Sequence, residues 1–337
     1  MIHMNPLHAL DNWDGKQLIG YGANLAALLT MKTCGVEFSF VVDDNRELQG
    51  QTLANIPIRP VSALSDVDWN LSRLVVCAYN PRSILSMQSK LEMLALQYPE
   101  HWIDCSLLHF NTMGKKLGKL FGISPDPLLF FRIRALTLFS SIENMSSISG
   151  TWLFIELLNH LAIYSTGGVA EMGVYRGGNA FTALSLGPRL AGWKYHLFDS
   201  FKGLPEFSSF DPTSRRGEFT ETSVKYIKSI FANFPNVHVH PGLFHDTLPS
   251  IADERFNLVY VDCDLYEPTL ECCEFFYERL NRGGIMLFHD YYEKCHGLPL
   301  GVKAPFTGVK LAVDEFSRSR AIPVVPFTES THALIVK

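Results

Sequence analysis

Short apolar runs alternate with longer segments of helical spacing along most of this chain. Near the start, runs at 17–21, 38–42, 74–78 and 102–105 have the length and composition of buried strands, and Gly50–Ile58 reads as a turn followed by an edge strand. A helix is expected over Leu25–Cys34, after the turn Gly20-Tyr-Gly-Ala-Asn24. From Leu128 to Tyr164 the apolar positions recur at helical intervals, through Phe131, Ile133, Leu136, Leu138, Trp152, Ile155, Leu158 and Leu161. Further strands are expected at 169–170, 195–199, 237–240, 256–262 and 284–290, with a final pair at 322–326 and 332–336. Strands alternating with helices predict an α/β chain whose parallel sheets are covered on both faces.

The rhythm divides the chain into a small Rossmann-like α/β domain over 1–110, a linker over 111–127 and a larger α/β domain over 128–337. The linker assignment rests on the Gly- and Lys-containing stretch Met113–Lys119 and on Ser124-Pro-Asp-Pro127. In the first domain the strand, glycine turn, helix and second strand end at Asp43-Asp44, the pattern of a nucleotide-binding half. Leu25 stands where that fingerprint has its third glycine. The domain therefore reads either as a nucleotide or sugar site or as a scaffold that has kept the turn.

The second domain carries the chemistry. A strand ending at Glu171 runs into Gly173, Gly177 and Gly178 before a helix opens at Asn179. Glycines between a strand and a helix allow a tight turn and close backbone approach to a ligand. Acids stand at four successive strand ends: Glu171, Asp199, Asp262 and Asp290. In sheets of this kind the ligand lies at the carboxyl ends of the strands, where Asp199 is placed to accept from ribose hydroxyls. Glu171 opposes a phosphate at the glycine loop and suits a cationic ligand, or else it organises the loop through backbone N–H groups. S-adenosylmethionine, with an ammonium, a sulfonium and no phosphate, fits that charge better than NAD.

Composition narrows the picture. The 337 residues are 47% hydrophobic and 19% charged, enough for a substantial core. A net charge of −5 without a basic cluster argues against nucleic acid as partner. Seven cysteines without a CxxC pair read as reduced thiols, and no signal pattern or membrane-length apolar run is present, so a cytoplasmic protein with no membrane partner is expected.

The motifs Ala-Glu-Met-Gly-Val-Tyr-Arg-Gly-Gly (170–178), Phe-Asp-Ser-Phe-Lys-Gly-Leu-Pro-Glu (198–206), Gly-Glu-Phe-Thr (217–220), Asp-Thr-Leu-Pro (246–249), Val-Asp-Cys-Asp-Leu-Tyr-Glu (261–267) and Ala-Val-Asp-Glu-Phe (312–316) form one ordered series. The series resembles the macrocin O-methyltransferase family of antibiotic-sugar methyltransferases, over residues 128–337. The resemblance implies a Rossmann-like seven-strand methyltransferase sheet, here with an N-terminal helical lid. It also implies S-adenosylmethionine as donor, a sugar or glycosylated small molecule as acceptor, and a divalent metal, usually magnesium.

Carried onto this chain, Glu171, Gly173, Tyr175, Arg176 and Gly177 fall in the cofactor loop, Asp199 and Ser200 hold the ribose, and Gly242 follows the third strand at the same edge. Phe219–Ser223 becomes a lid over the site. Asp262 becomes the leading metal ligand. Where the family has two adjacent acids this chain has His289-Asp290. Two readings of His289 stay open. Either Asp262, His289 and Asp290 hold a metal of altered preference, or no metal binds and His289 or His245 acts as general base. A stretch around Gly297–Gly308, rich in Pro and Gly, is expected to reshape the acceptor pocket.

Two rival functions are an NAD(P)-dependent nucleotide-sugar oxidoreductase built on the Gly20–Asn24 turn and a non-catalytic sugar-binding or scaffold protein. A homo-oligomer is among the expectations. His196, His238, His240 and His332 read as ordinary strand residues, and Cys272-Cys273 as core.

Overall fold

A computed structural model describes residues 13–163, 167–188, 192–212, 215–292, 296–302 and 305–337. Tyr164 and Cys295 lie outside them. The chain forms two compact units, residues 1–120 with 295–302, and residues 121–294 with 303–337.

In the first unit the elements are β1 (Gln17–Tyr21), α1 (Leu25–Cys34), β2 (Phe38–Asp43), β3 (Thr52–Leu53), β4 (Ile56–Pro60), β5 (Ser72–Val76), α2 (Pro81–Met93), β6 (Trp102–Asp104) and α3 (Cys105–Phe121). The sheet order is β3-β4-β2-β1-β5-β6, and pairing is parallel except between β3 and β4. Those two strands form a hairpin through Ala54 and Asn55, both at positive φ (49° and 72°), a turn whose twist matches that of the strands it joins. The core is built on Ile19, Tyr21, Val42, Leu74, Val76 and Trp102.

The expected linker over 111–127 is helix as far as Phe121. Met113 and Leu117 of α3 are buried one turn apart, and Gly114 is buried between them, so packing outweighs the weak helix preference of glycine. The stretch around Gly297–Gly308 also divides. Residues 296–302 belong to the first unit, where the Gly297 carbonyl accepts from Ala54 N–H at 2.9 Å and Leu300 N–H donates to Gln51 Oε1 at 3.0 Å.

The second unit begins with α4 (Pro127–Phe139) and α5 (Ile148–Leu161) and continues with β7 (Gly168–Met172), α6 (Gly178–Leu186), β8 (Lys194–Asp199), α7 (Val224–Ile230), β9 (Val237–Pro241), α8 (Phe244–Thr247), β10 (Phe256–Val261), α9 (Tyr266–Arg279), β11 (Leu280–Phe288), α10 (Gly308–Arg320), β12 (Val325–Phe327) and β13 (His332–Val336). Helix α5 is buried on nearly every side, so the expected N-terminal helical lid is in this element part of the packed core.

The second sheet has seven strands in the order β12-β13-β11-β10-β7-β8-β9. The five strands β7 to β11 are parallel, whereas β13 is antiparallel to both β11 and β12. The expected parallel sheet thus carries an antiparallel edge, formed by the expected final pair of strands. The few residues between β12 and β13 allow only a hairpin-like return, because a parallel crossover needs about a dozen residues or more. Strand order reverses at β7, which has β8 on one side and β10 on the other. That switch point is where an α/β sheet opens a crevice for a ligand.

His196, on β8, meets His238 and His240, on β9, across one sheet face. His196 Nδ1 lies 3.0 Å from His240 Nε2, the His196 and His238 rings stack at 5.3 Å, and His240 stacks on Phe198 at 4.3 Å. Burial is the main force lowering the pKa of His196 to about 4 from 6.5; His240 and His238 add to it, Glu254 opposes, and Lys194 reinforces. His240 is lowered too, by burial and then His238. Because the folded pKa lies below the unfolded one, this stability is complete above pH 6.5 and is lost as pH falls toward 4. His196 alone accounts for a loss of about 2 kcal/mol by about pH 5. Urea unfolding of the wild type and His196→Phe at about pH 7.5 and pH 5 checks this, with a fall about 2 kcal/mol smaller expected in the variant.

Candidate active site

Gly173 sets the position of the glycine loop. Its φ is +92°, and a Cβ there would lie 1.9 Å from the Asp262 carbonyl oxygen, so only glycine lets the end of β7 lie against the residue that follows β10. Gly177, at φ +79°, starts α6, and a Cβ on Gly178 would meet the Glu143 carbonyl at 2.2 Å. The loop before α5 is therefore pressed against the glycine turn. Arg176 reinforces that contact through an ion pair with Glu143 at 2.9 Å.

The expected cofactor residues share this edge, but several are occupied by the protein's own backbone. Asp199 accepts from Tyr175 N–H at 2.8 Å and Phe201 N–H at 2.7 Å, and burial raises its pKa against those bonds. Ser200 closes its own loop, donating to the Gly203 carbonyl at 2.8 Å. Gly242 N–H donates to the Asp199 carbonyl at 3.0 Å. The Tyr175 ring meets Phe219 edge-on at 5.5 Å, and Thr222 Oγ1 donates to the Tyr175 carbonyl at 2.5 Å. The expected lid, 219–223, is thus tied to the glycine loop.

Glu171 is 1% exposed and accepts from the Tyr195 hydroxyl at 3.1 Å. Burial, with the charge of Asp262, raises its pKa to about 8 although Tyr195 and Asn179 pull it down.

Asp262, His289 and Asp290 come together beyond the ends of β10 and β11, with ligand atoms within 4.8 Å of one another. His289 Nδ1 lies 2.8 Å from Asp262 Oδ1 and 3.6 Å from Asp290 Oδ1. Burial opposes charge on the ring, but the two carboxylates prevail and lift its pKa to about 9. Asp262 is held below the usual carboxylate range: burial works to raise it, and the charge and hydrogen bond of His289 overcome that.

Asp264 joins the cluster without having been singled out in the sequence. It lies just past β10 at φ +67° and hydrogen-bonds Asp290, itself at φ +55°. Burial, then the charges of Asp290 and Asp262, push Asp264 well up. Its spacing from Asp262 in Asp262-Cys-Asp264 was the available signal.

Behind the cluster Tyr260 OH lies 3.2 Å from His332 Nε2 and 3.4 Å from Ser146 Oγ. His332 Nδ1 faces the Ser330 carbonyl at 2.5 Å, so that nitrogen carries the proton and Nε2 accepts from Tyr260. Burial and the charge of His289 lower the His332 pKa to about 3, giving the site a neutral floor.

In front, the loop before α7 is anchored by Asp211, whose carboxylate accepts from Tyr266 N–H at 2.9 Å and from Ser208 Oγ at 2.6 Å. Tyr266 opens α9, whose cap residue Leu265 offers no side-chain acceptor, so Asp211 satisfies a helix-end donor from a distant loop. Arg215 lies 4.0 Å over the Phe306 ring, binds Glu218 at 2.8 Å and contributes positive charge toward Asp290. His245 sits elsewhere: its side chain is 63% exposed on α8 and pairs with Asp246 at 3.5 Å.

In the first unit three N–H groups at the glycine turn have partners within the unit. Gly22 N–H donates to Val42 O at 2.8 Å, Ala23 N–H to Asp43 Oδ2 at 2.7 Å and Ala27 N–H to Asn24 Oδ1 at 3.2 Å. Asp43 is thus tied to the turn. NMR titration of the His289 ring should give a pKa near 9, and Asp262→Asn should return it toward about 6.5. A wild-type value near 6.5 would mean that the carboxylates do not act on the ring.

Residues 161–304 match the family model described as Macrocin-O-methyltransferase (TylF). A tetracenomycin-type rhamnosyl 4'-O-methyltransferase of Streptomyces olivaceus is 30% identical over 138 residues, 37% of this chain and 53% of that protein. Mycinamicin III 3''-O-methyltransferase of Micromonospora griseorubida is 28% identical over 175 residues, 44% of this chain and 68% of that protein. The solved O-methyltransferase NovP covers 69% of this chain and 99% of its own at 21% identity, with a TM-score of 0.48. This chain spans about half the length of the first of these relatives. The resemblance expected from the ordered motifs is therefore shown: residues 161–304 are similar to the macrocin-O-methyltransferase family.

Proposed function

We propose that the chain transfers a methyl group from S-adenosylmethionine to a hydroxyl of a sugar or sugar-bearing small molecule. The observation that carries the reading is that Glu171, Asp199, Asp262 and Asp290 stand at or near the carboxyl ends of four strands of one sheet, within the stretch that matches the family model. The two relatives act, by their names, on rhamnosyl tetracenomycin and on mycinamicin III, which makes a sugar-bearing acceptor the favoured class. The described cysteines are free thiols, in keeping with a reducing cytoplasm.

In this reading the glycine loop and Asp199 hold the donor, and Glu171, bonded to Tyr195 beneath the loop, keeps the loop in place. The acceptor oxygen attacks the methyl carbon, the carbon–sulfur bond breaks, and the sulfonium leaves as a neutral thioether. Alignment is the main task, and the loop anchored by Asp211 and the lid tied to Tyr175 restrict how the acceptor enters. Asp262 and Asp290, beside His289, lower the cost of removing the hydroxyl proton.

The donor set of two carboxylates and one imidazole, with ligand atoms within 4.8 Å, also fits a divalent ion held by Asp262, His289 and Asp290. Bound there, such an ion would lower the cost of deprotonating an acceptor hydroxyl.

Asp262→Asn is expected to lower turnover by about 100-fold or more and leave the dissociation constant for S-adenosylmethionine within about threefold. Calorimetry gives the donor affinity, and mass spectrometry of products from a panel of rhamnosides gives turnover. Wild-type turnover in the variant removes Asp262 from the mechanism. A wild-type protein that does not bind the donor at millimolar concentration overturns the activity itself.

A further inference from the structure

We propose that the Asp262–His289–Asp290 cluster selects a transition-metal dication over magnesium, and that His289 sets this choice. The inference rests on the reading of the site as a metal-holding methyltransferase centre and adds the class of ion.

The argument begins with distances. Donor atoms of neighbouring ligands around an ion with bonds of about 2.1 Å lie about 3.0 Å apart in octahedral geometry and about 3.4 Å in tetrahedral geometry. His289 Nδ1 stands 2.8 Å from Asp262 Oδ1 and 3.6 Å from Asp290 Oδ1, so small side-chain adjustments bring all three atoms onto one ion. The ring nitrogen that faces the carboxylates is thus the one placed to bind.

Ligand chemistry then separates the ions. Magnesium favours all-oxygen coordination and sheds water reluctantly, whereas imidazole suits manganese, iron, nickel and zinc. Once an ion has displaced the proton from Nδ1, a neutral imidazole with two carboxylates balances a double positive charge, where three carboxylates would leave a net negative one.

The surroundings hold the donors in place. His289 N–H donates to the Val261 carbonyl at 2.9 Å, fixing the backbone of the ligand, and the His332 ring lies 4.8 Å from the His289 ring. Asp264 bonds Asp290 and so orients that carboxylate. Gly173, pressed on the Asp262 carbonyl, limits movement of the third ligand. Outer partners of this kind tune affinity by about 10- to 100-fold in known metal sites.

The test is made on the full chain stripped with EDTA and titrated separately with manganese, nickel, zinc and magnesium chlorides by calorimetry. Manganese binding is followed in parallel by electron paramagnetic resonance. The wild type should bind at least one of the three transition ions about 100-fold more tightly than magnesium. His289→Asp should cut that ratio to about tenfold or less by gaining magnesium affinity, and His289→Asn should weaken the transition ions without that gain.

Circular dichroism melting identifies variants that keep the fold, and only those are compared. Equal affinity of the wild type for magnesium, an unchanged ratio in His289→Asp, or no ion bound below millimolar concentration overturns the proposal. Donor binding is measured on the same samples. Intact donor binding and methyl transfer without metal selectivity defeat this inference alone, whereas absent donor binding defeats the methyltransferase reading.

Discussion

A single close backbone approach ties the two halves of the site together. Where Gly173 passes the Asp262 carbonyl there is no room for a side chain, so the loop after β7 and the residue after β10 stand side by side at the switch point of the sheet. One loop carries the turn read as the donor site, and the other carries the leading acid of the cluster. Donor carbon and acceptor oxygen need to meet to within a few tenths of an ångström, and a backbone contact holds that spacing more firmly than flexible side chains could.

Charge is distributed around that contact in layers. Glu171 is buried beneath the glycine loop and shares a hydrogen bond with Tyr195. At the crevice Asp262 and Asp290 flank His289, so the cluster contains both signs and the imidazole ring is held in its charged form. Below lies the neutral His332, fixed by Ser330 and Tyr260. Burying several carboxylates together raises their affinity for any cation, whether a proton, an imidazolium or a metal ion.

The first unit has Rossmann-like strand order and the expected acid at the end of β2, yet Asp43 is turned inward to hold Ala23 and Asn45. The sequence pattern for a nucleotide turn is therefore present while part of its hydrogen-bonding capacity is used within the protein. Local motifs report backbone shape reliably, but they do not reveal whether the donors of that shape are still available.

From sequence alone the alternation of strand and helix, the glycine loop and the acids at successive strand ends could be read, because strand periodicity and turn chemistry are local properties of neighbouring residues. Asp199, Asp262 and Asp290 were legible for that reason, and His289 stood out as a departure beside one of them. Which side chains meet was decided by tertiary structure. Ser146 and His332 reach Tyr260 from segments 114 and 72 residues away in the chain. Asp211 caps a helix 55 residues on, and His196 meets His240 only because β8 pairs with β9. The antiparallel return of β13 and the helical continuation through residues 111–121 likewise depended on packing partners that no short window contains. Strand order and side-chain burial are global outcomes of the fold, so the chemistry of the cluster's floor and lid became visible only once the sheet was assembled.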